Sequence, residues 1–245
     1  MGYHHYTLDQ RPDLAAAIDR LSNESWPRFL LSNPIPGWDL LFDLFAQYQL
    51  LLCDSSDQLI AVGHTLPLLW DGEIATLPMT IREIFARAHE VCQQKKTPNT
   101  FVAIAAMVDP AHHGQNLSRM MVEEMKATTQ RHAATSLIIP VRPTWKSRYP
   151  LTPMERYVKW RRSDGAYFDP WLRVHGHLRA EGLAVVPRAE TIEGSIQDWE
   201  EWTGMAFPES GSYVVPGALQ PVQIDCERNR GLYDDPNYWM KHSIK

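Results

Sequence analysis

The segment Ala111-His112-His113-Gly114-Gln115-Asn116-Leu117-Ser118 places one glycine and several small polar residues between a continuous apolar run, Phe101 to Val108, and an amphipathic run from about Asn116 to His132. A helix N-terminus presents N–H groups without intrahelical partners and the positive end of the helix dipole, and a loop of little bulk lets a phosphate approach them. The chemistry that suits this combination is pyrophosphate binding; an ordinary strand–loop–helix connection is the alternative on the same residues. A second chemical feature is charge. Between Arg142 and Arg179 the chain carries nine basic and three acidic side chains, although the whole chain has a net charge of −5. Arg142, Lys146 and Arg148 follow directly on the apolar stretch Leu137 to Val141, with Arg173 further on, and cations so grouped suit an anion. A solvated helix face is the ordinary reading of Lys159, Arg161 and Arg162. His175 and His177, two apart, share a face if their segment is a strand, and His112 and His113 are adjacent. No third ligand is identifiable, so no metal is expected.

The elements that must position these residues follow from periodicity. Tyr6 to Leu8 reads as a short strand, and Pro12 to Leu21 as a helix with Leu14, Ile18 and Leu21 on one face. Trp38 to Gln47 reads as a helix. Tyr48 to Cys53 and Gln58 to Leu66 flank the turn residues Asp54-Ser55-Ser56-Asp57, a hairpin signal. Thr80 to Gln93 is a helix with Ile81, Ile84, Phe85 and Ala88 inward. Phe101 to Val108 reads as a strand buried on both faces, and in the following helix Leu117, Met120, Met121, Met125 and Thr128 share a face. Leu137 to Val141 is a strand whose Pro140 cannot donate to a ladder, so pairing on one side of it should stop nearby. Beyond Arg142, Pro153 to Arg162 reads as a helix, Phe168 to Leu178 and Val185 to Ile196 as containing strands, and the chain from Trp199 as a tail with only short strand candidates.

With these elements in place, Val108-Asp109-Pro110 followed by His113-Gly114-Gln115-Asn116-Leu117-Ser118 resembles the Gcn5-related N-acetyltransferase superfamily: the first matches its V-x-P at the end of the fourth strand, the second its Q/R-x-x-G-x-G/A pyrophosphate loop. His113 stands where Gln or Arg is usual, Asn116 replaces a Gly, and Ser118 replaces the final Gly or Ala. The resemblance implies an α/β (α+β) fold with a mixed, mostly antiparallel central sheet flanked by helices, splayed fourth and fifth strands with acyl-CoA in the gap, and an elaborated C-terminal part. It implies an acyl-CoA-dependent N-acyltransferase, with acetyl-CoA or another acyl-CoA as co-substrate and a small-molecule amine, possibly anionic, as acceptor. The backbone of Met107 and Val108 would pair with the pantetheine arm, and the amides from Gly114 to Ser118 would meet the pyrophosphate. Tyr157 matches the family's tyrosine that protonates the departing thiolate, with Tyr149 in reserve, because the family's Gly-Phe is drawn out here into Asp164-Gly165-Ala166-Tyr167-Phe168. The general base is open among His64, Asp71, Asp169 and His175. The ordinary readings are a core histidine for His64, an Asp-Gly turn for Asp71 and a turn cap before Pro170 for Asp169. Arg142, Lys146, Arg148 and Arg173 are candidates for CoA phosphates or an anionic acceptor, and Trp70, Trp145 and Trp171 for the walls of the acceptor site.

Composition bounds these readings. Nine tryptophans demand a packed chain, and mild acidity gives no support to nucleic-acid binding. Three scattered cysteines without a C-x-x-C pair fit a reducing, cytoplasmic setting, and neither a signal peptide nor a membrane span is read. The expected organisation is one domain, residues 1–245, with a core to about 168 and an elaboration from about 169, as a monomer or homodimer. Two other function classes share these residues: a non-catalytic acyl-CoA-binding or sensing module of the same fold, and a metal-assisted hydrolase using the histidines.

Overall fold

The computed structural model describes residues 2–244. Its strands are β1 (His4–Thr7), β2 (Gln49–Cys53), β3 (Leu59–Leu68), β4 (Thr100–Val108), β5 (Ser136–Val141), β6 (Glu181–Gly194), β7 (Gly211–Tyr213), β8 (Val222–Asp225) and β9 (Arg230–Ser243). Its helices are α1 (Ala15–Ser25), α2 (Arg28–Leu31), α3 (Ile81–Gln93), α4 (Leu117–Arg131), α5 (Met154–Tyr157), α6 (Pro170–His177) and α7 (Ile196–Thr203). The strands form one sheet in the order β1-β2-β3-β4-β5-β9-β8-β7, with β6 on the other edge of β9. Every pairing is antiparallel except β4 with β5. This is the expected mixed, mostly antiparallel sheet.

The parallel pair is short: Thr100, Phe101 and Val102 match Ser136, Leu137 and Ile138. Beyond it β4 runs on to Val108 and β5 to Val141 without pairing to each other, so the two strands diverge. Proline explains the site of divergence. Pro140 pairs with Trp239 of β9, and a proline stays in a ladder only where its nitrogen faces away from the partner. The nitrogen of Pro140 therefore faces the gap, where β4 would otherwise bind. A second irregularity lies on β4. Ala103 pairs with Thr65 and Ala105 with His64, so Ile104 is an extra residue. A bulge flips the phase of a strand. Phe101 and Ala103 pack with Leu117, Met121 and Met125 of α4, and beyond the bulge it is Ala106 and Val108 that face that cluster. Ile104 packs on the opposite face with Trp38, Ile138, Val186 and Ala189.

α4 lies close on β3 because Gly63 is there: a Cβ on Gly63 would stand 2.5 Å from Met125 Cε and 2.7 Å from Met121 Sδ. α3 is held by Thr80, whose side chain accepts from the Glu83 N–H, and buries Ile84, Phe85, Ala88 and Val91.

Several expected elements differ. Trp38 to Gln47 is not one helix but two short 3-10 turns, Trp38–Leu41 and Ala46–Tyr48. Pro153 to Arg162 yields only the single turn of α5. Phe168 to Leu178 is the helix α6 rather than a strand: Asp169 accepts from the N–H groups of Trp171 and Leu172, and Pro170 occupies the first turn, which is a helix start. His175 and His177 are therefore on different sides of a helix, the first buried and the second exposed. The chain after Trp199 holds β9, fourteen residues long, where only short strands were expected. Pro236 interrupts its pattern but sits between the segment paired to β8 and the segment paired to β5, where its missing N–H breaks no bond.

Candidate active site

The diverging strands open toward the loop before α4. Asp109 caps the turn after β4 by accepting from the Ala111 N–H, and the His113 ring meets the Val108 carbonyl at 3.1 Å. Gly114 and Asn116 then take left-handed backbone, φ 81° and 66°. Asn tolerates that region better than most residues, and at Gly114 a side chain would meet nothing, so the requirement there is conformational. The result is a row of N–H groups, Gly114 to Ser118, for which no described residue supplies an acceptor. Gln115 is tethered from outside by Tyr3, whose hydroxyl donates to its side chain at 3.1 Å. An array of free amides at a helix N-terminus fits a pyrophosphate.

The free edge of β4 leads from this loop into the gap. Its alternate N–H and C=O groups between Ala103 and Val108 have no strand opposite them, which leaves them available to an amide-bearing arm. The Met107 side chain points into the core on the α1 face, where its sulfur accepts from Trp26 Nε1 at 3.1 Å and from the Ser22 hydroxyl at 3.5 Å. Its backbone does not face the gap either: Met107 pairs with Val62, and the Asp109 N–H to Ile60 carbonyl bond sets an alternation in which Met107 bonds β3 while Ala106 and Val108 turn toward the gap, a correction to the expectation that Met107 meets the pantetheine arm.

On the β5 side, Tyr157 is buried, and its hydroxyl donates to Asp169 Oδ2 at 2.9 Å. Around it stand Tyr149, Trp160 and Phe168, with ring centroids 6.0, 5.1 and 6.3 Å away. Burial first, then the Asp169 carboxylate, holds the phenol well above its ordinary pKa. The Lys146 ammonium lies 5.8 Å over the same ring. It is itself buried, donates to the carbonyls of Tyr149 and Leu219, and is lowered by burial to a pKa of about 8. Asp169 is fully engaged: besides Tyr157 it accepts from the Trp145 N–H at 2.7 Å and from Trp171 and Leu172 at 2.9 and 3.2 Å.

The remaining candidates are dispersed. His64 is wholly buried, shares a 2.9 Å bond with Gln49, packs edge-on against Trp38, and is lowered by burial to about 4, so it is neutral; its Nε2 has no partner. His175 is buried with Nδ1 3.0 Å from His242 Nε2 and with Trp171 against its ring. Trp70 and Asp71 lie at the other end of the sheet: Trp70 is bound on both backbone groups by Asn99, the residue before β4, and lines an open cavity of about 370 Å³ with Asp71, Thr76 and Arg87. The narrow end of the divergence, not its mouth, is nearest them. Arg142 grips Asp235 with Nε 3.0 Å from both oxygens and donates to Gly217 O. Arg173 donates to the carbonyls of Tyr167 and Phe168. Arg148 alone of the four is exposed, its guanidinium 4.8 Å over Trp145.

The carboxyl of Glu190 on β6 was not singled out from the sequence. It is half-buried, raised by burial to about 7, and lies directly across from Asp235 on β9. Only the strand register brings the two together, forty-five residues apart in sequence, so local spacing carried no signal. Among the described residues no group of His, Cys, Asp and Glu is placed to hold a metal, and no helix is long and apolar enough to cross a membrane.

No family model matches the chain. An arginine N-acetyltransferase, avaD, from Aspergillus versicolor is 31% identical over 279 residues, covering 99% of this chain and 94% of that one. The loading GNATL domain of CurA from Lyngbya majuscula has a TM-score of 0.68 at 14% identity, covering 100% of this chain and 98% of that one. The GphF GNAT-like decarboxylase in complex with isobutyryl-CoA has a TM-score of 0.64 at 14% identity, with both chains fully covered. At that identity the two structures speak to the fold alone.

Proposed function

Since this chain belongs to the Gcn5-related N-acetyltransferase superfamily, we propose that it transfers the acyl group of an acyl-CoA, acetyl by preference, to a small-molecule amine by direct attack within a ternary complex. Acyl-CoA-dependent N-acyl transfer is the activity that the relationship to avaD supports. The observation that carries the site is the row of unpartnered N–H groups from Gly114 to Ser118 at the mouth of the diverging β4 and β5.

In this reading acyl-CoA supplies an activated thioester. The Gly114–Ser118 amides hold its pyrophosphate, and the free edge of β4 fixes the pantetheine arm and polarises the acyl carbonyl through backbone N–H groups. Tyr157 is the proton donor to the departing thiolate. Burial and Asp169 keep the phenol protonated but also make it a weaker acid, and Lys146, over the ring, offsets the charge that the phenol acquires as it gives the proton up. Asp169 positions that hydroxyl. Its oxygens are committed to four donors, which argues against a second duty as general base. With Arg142, Lys146 and Arg173 bound to protein acceptors, an acceptor carboxylate has Arg148 as its exposed cation.

The test is release of free thiol from acetyl-CoA with a panel of amines that includes arginine, the substrate in the relative's name. Release that depends on an amine supports the proposal. Binding of CoA without release under any amine would favour a sensing module, and loss of activity with a chelator would favour the hydrolase.

A further inference from the structure

Between two apolar clusters on the face of the sheet away from α4 lies a buried polar patch that the transfer chemistry above does not use. One cluster, with Ile104, Trp38 and Ala189, reaches to the residue before Glu190; the other, with Ile192 and Tyr233, begins beyond it. Asp235 in this patch is saturated. It receives Arg142, the Tyr233 hydroxyl at 2.5 Å and Asn237 at 3.3 Å. Glu190, directly opposite, is not. Its Oε1 is sealed from solvent and has no hydrogen-bond partner, and Oε2 has only a long bond of 3.4 Å from Asn33. No described residue forms an ion pair with it. Arg82 is near enough to act on its charge but donates to the Pro34 carbonyl.

Two carboxyls thus face each other across an antiparallel pair, and of the two only Asp235 holds the guanidinium of Arg142. Like charges in that position are unfavourable, and a sealed oxygen without a donor costs free energy that an apolar residue would avoid. A cation completes the arrangement. Arg142, which follows β5, ties the patch to the wide end of the gap, and Ile104, the bulge residue of β4, shares a cluster with Ala189. The patch therefore lies on the same face of the sheet as Ile104, beside the gap between β4 and β5. A carboxylate holding the reacting nitrogen would keep it as an unreactive ammonium, so the charge it suits is a second, non-reacting one.

We infer that Glu190 is a specificity-determining residue that receives a cationic side group of the amine acceptor, a guanidinium or ammonium, with the Asp235–Arg142 pair bracing it. This deepens the acyltransferase reading and rests on it for the identity of the ligand as acceptor.

The test is equilibrium binding of L-arginine and of L-citrulline, its uncharged counterpart, to the full chain saturated with CoA. Wild type is expected to prefer arginine. E190Q should weaken arginine by roughly thirtyfold, leave citrulline and CoA binding as they were, and so remove the preference. Should E190Q melt far below the wild type, E190D decides: it keeps the charge but withdraws it by one methylene, and arginine binding weaker than wild type supports the inference. A wild type that binds neither ligand or shows no preference, an E190Q variant that retains the preference, or a folded E190D equal to wild type where E190Q is unusable, overturns it. Failure of the transfer reading looks different: no amine releases thiol from acetyl-CoA, while Glu190-dependent binding of arginine persists.

Discussion

Tyr157 and Asp169 meet at 2.9 Å although twelve residues separate them, and almost nothing between them is regular. Asp169 was legible as a cap, because Asp before Pro starts turns and helices; that its second oxygen would receive a tyrosine hydroxyl and the Trp145 N–H was not, since both arrive through loops whose paths no periodicity dictates. The two residues should separate cleanly by experiment. Tyr157→Phe removes the proton but keeps the ring in its aromatic cage, so turnover should fall about a hundredfold while the dissociation constant for CoA stays nearly constant. Steady-state thiol release and calorimetry check this; unchanged turnover would remove Tyr157 from the chemistry. Asp169→Ala removes the cap of α6 and leaves a buried phenol and N–H without acceptors, so it should cost about 3 kcal/mol of stability in urea denaturation. A variant as stable as the wild type would show that α6 does not depend on this cap.

Elements were read best where one face of a regular segment is buried, as in α3 and α4, and worst where a cap or a partner strand decides the outcome. α6 reads apolar enough for a strand, but Asp169 and Pro170 set it as a helix, and that places His175 against His242 of β9 rather than on one face with His177. Both rings are buried, and burial lowers His175 well below the ordinary imidazole value of 6.5 and His242 to about 4; His64, on β3, is also lowered to about 4. Above pH 6.5 these groups are neutral in both states and contribute no pH dependence. Below it the unfolded chain takes up protons that the folded chain refuses, so stability should fall as the pH drops from about 6.5 toward 4. For His64 alone the loss is on the order of 3 kcal/mol. Denaturant midpoints measured across that range check it, and His64→Gln should flatten the slope; the same slope in the variant would exclude His64 as a contributor. At the loop before α4, Gly114→Val forces a β-branched residue to φ 81°. CoA binding should weaken by about tenfold or more through strain in the cradle, without a clash, since that position is open.

At the scale of the molecule, the sequence suggested a catalytic core followed by an appended part, because the positions that match the family end near residue 168 and Gly, Pro and aromatic residues dominate the tail. The strand register joins the two. β9 pairs with β5 along the full length of β5, from Ser136 with Ser243 to Val141 with Tyr238, and β6 pairs with the far edge of β9. Met240 and Leu219 are packed in the cluster that holds α4, β4 and Tyr157, and Trp239 in the cluster that holds α3. This was not legible locally, since β9 pairs with residues roughly a hundred positions earlier in the chain and carries Asp234-Asp235-Pro236 at its centre, the signature of a turn. The divergence of β4 and β5 depends on it as well: β5 can part from β4 only because β9 satisfies its other edge. A chain ending at Arg179 would leave the apolar strand β5 with a bare edge, free to pair with other chains, and would strip Leu219 from Lys146, whose ammonium would lose one of its two carbonyl partners. Such a truncation is therefore expected to be insoluble or to unfold without a cooperative transition, and not to bind CoA, whereas the full chain should melt as one unit and gain roughly 5–10 °C with CoA at a hundred times its dissociation constant. Calorimetric scans of both proteins decide it. A soluble truncation with a cooperative melt would mean that β5 closes the core without β9, and the gap between the strands would then have to be held open by Pro140 alone.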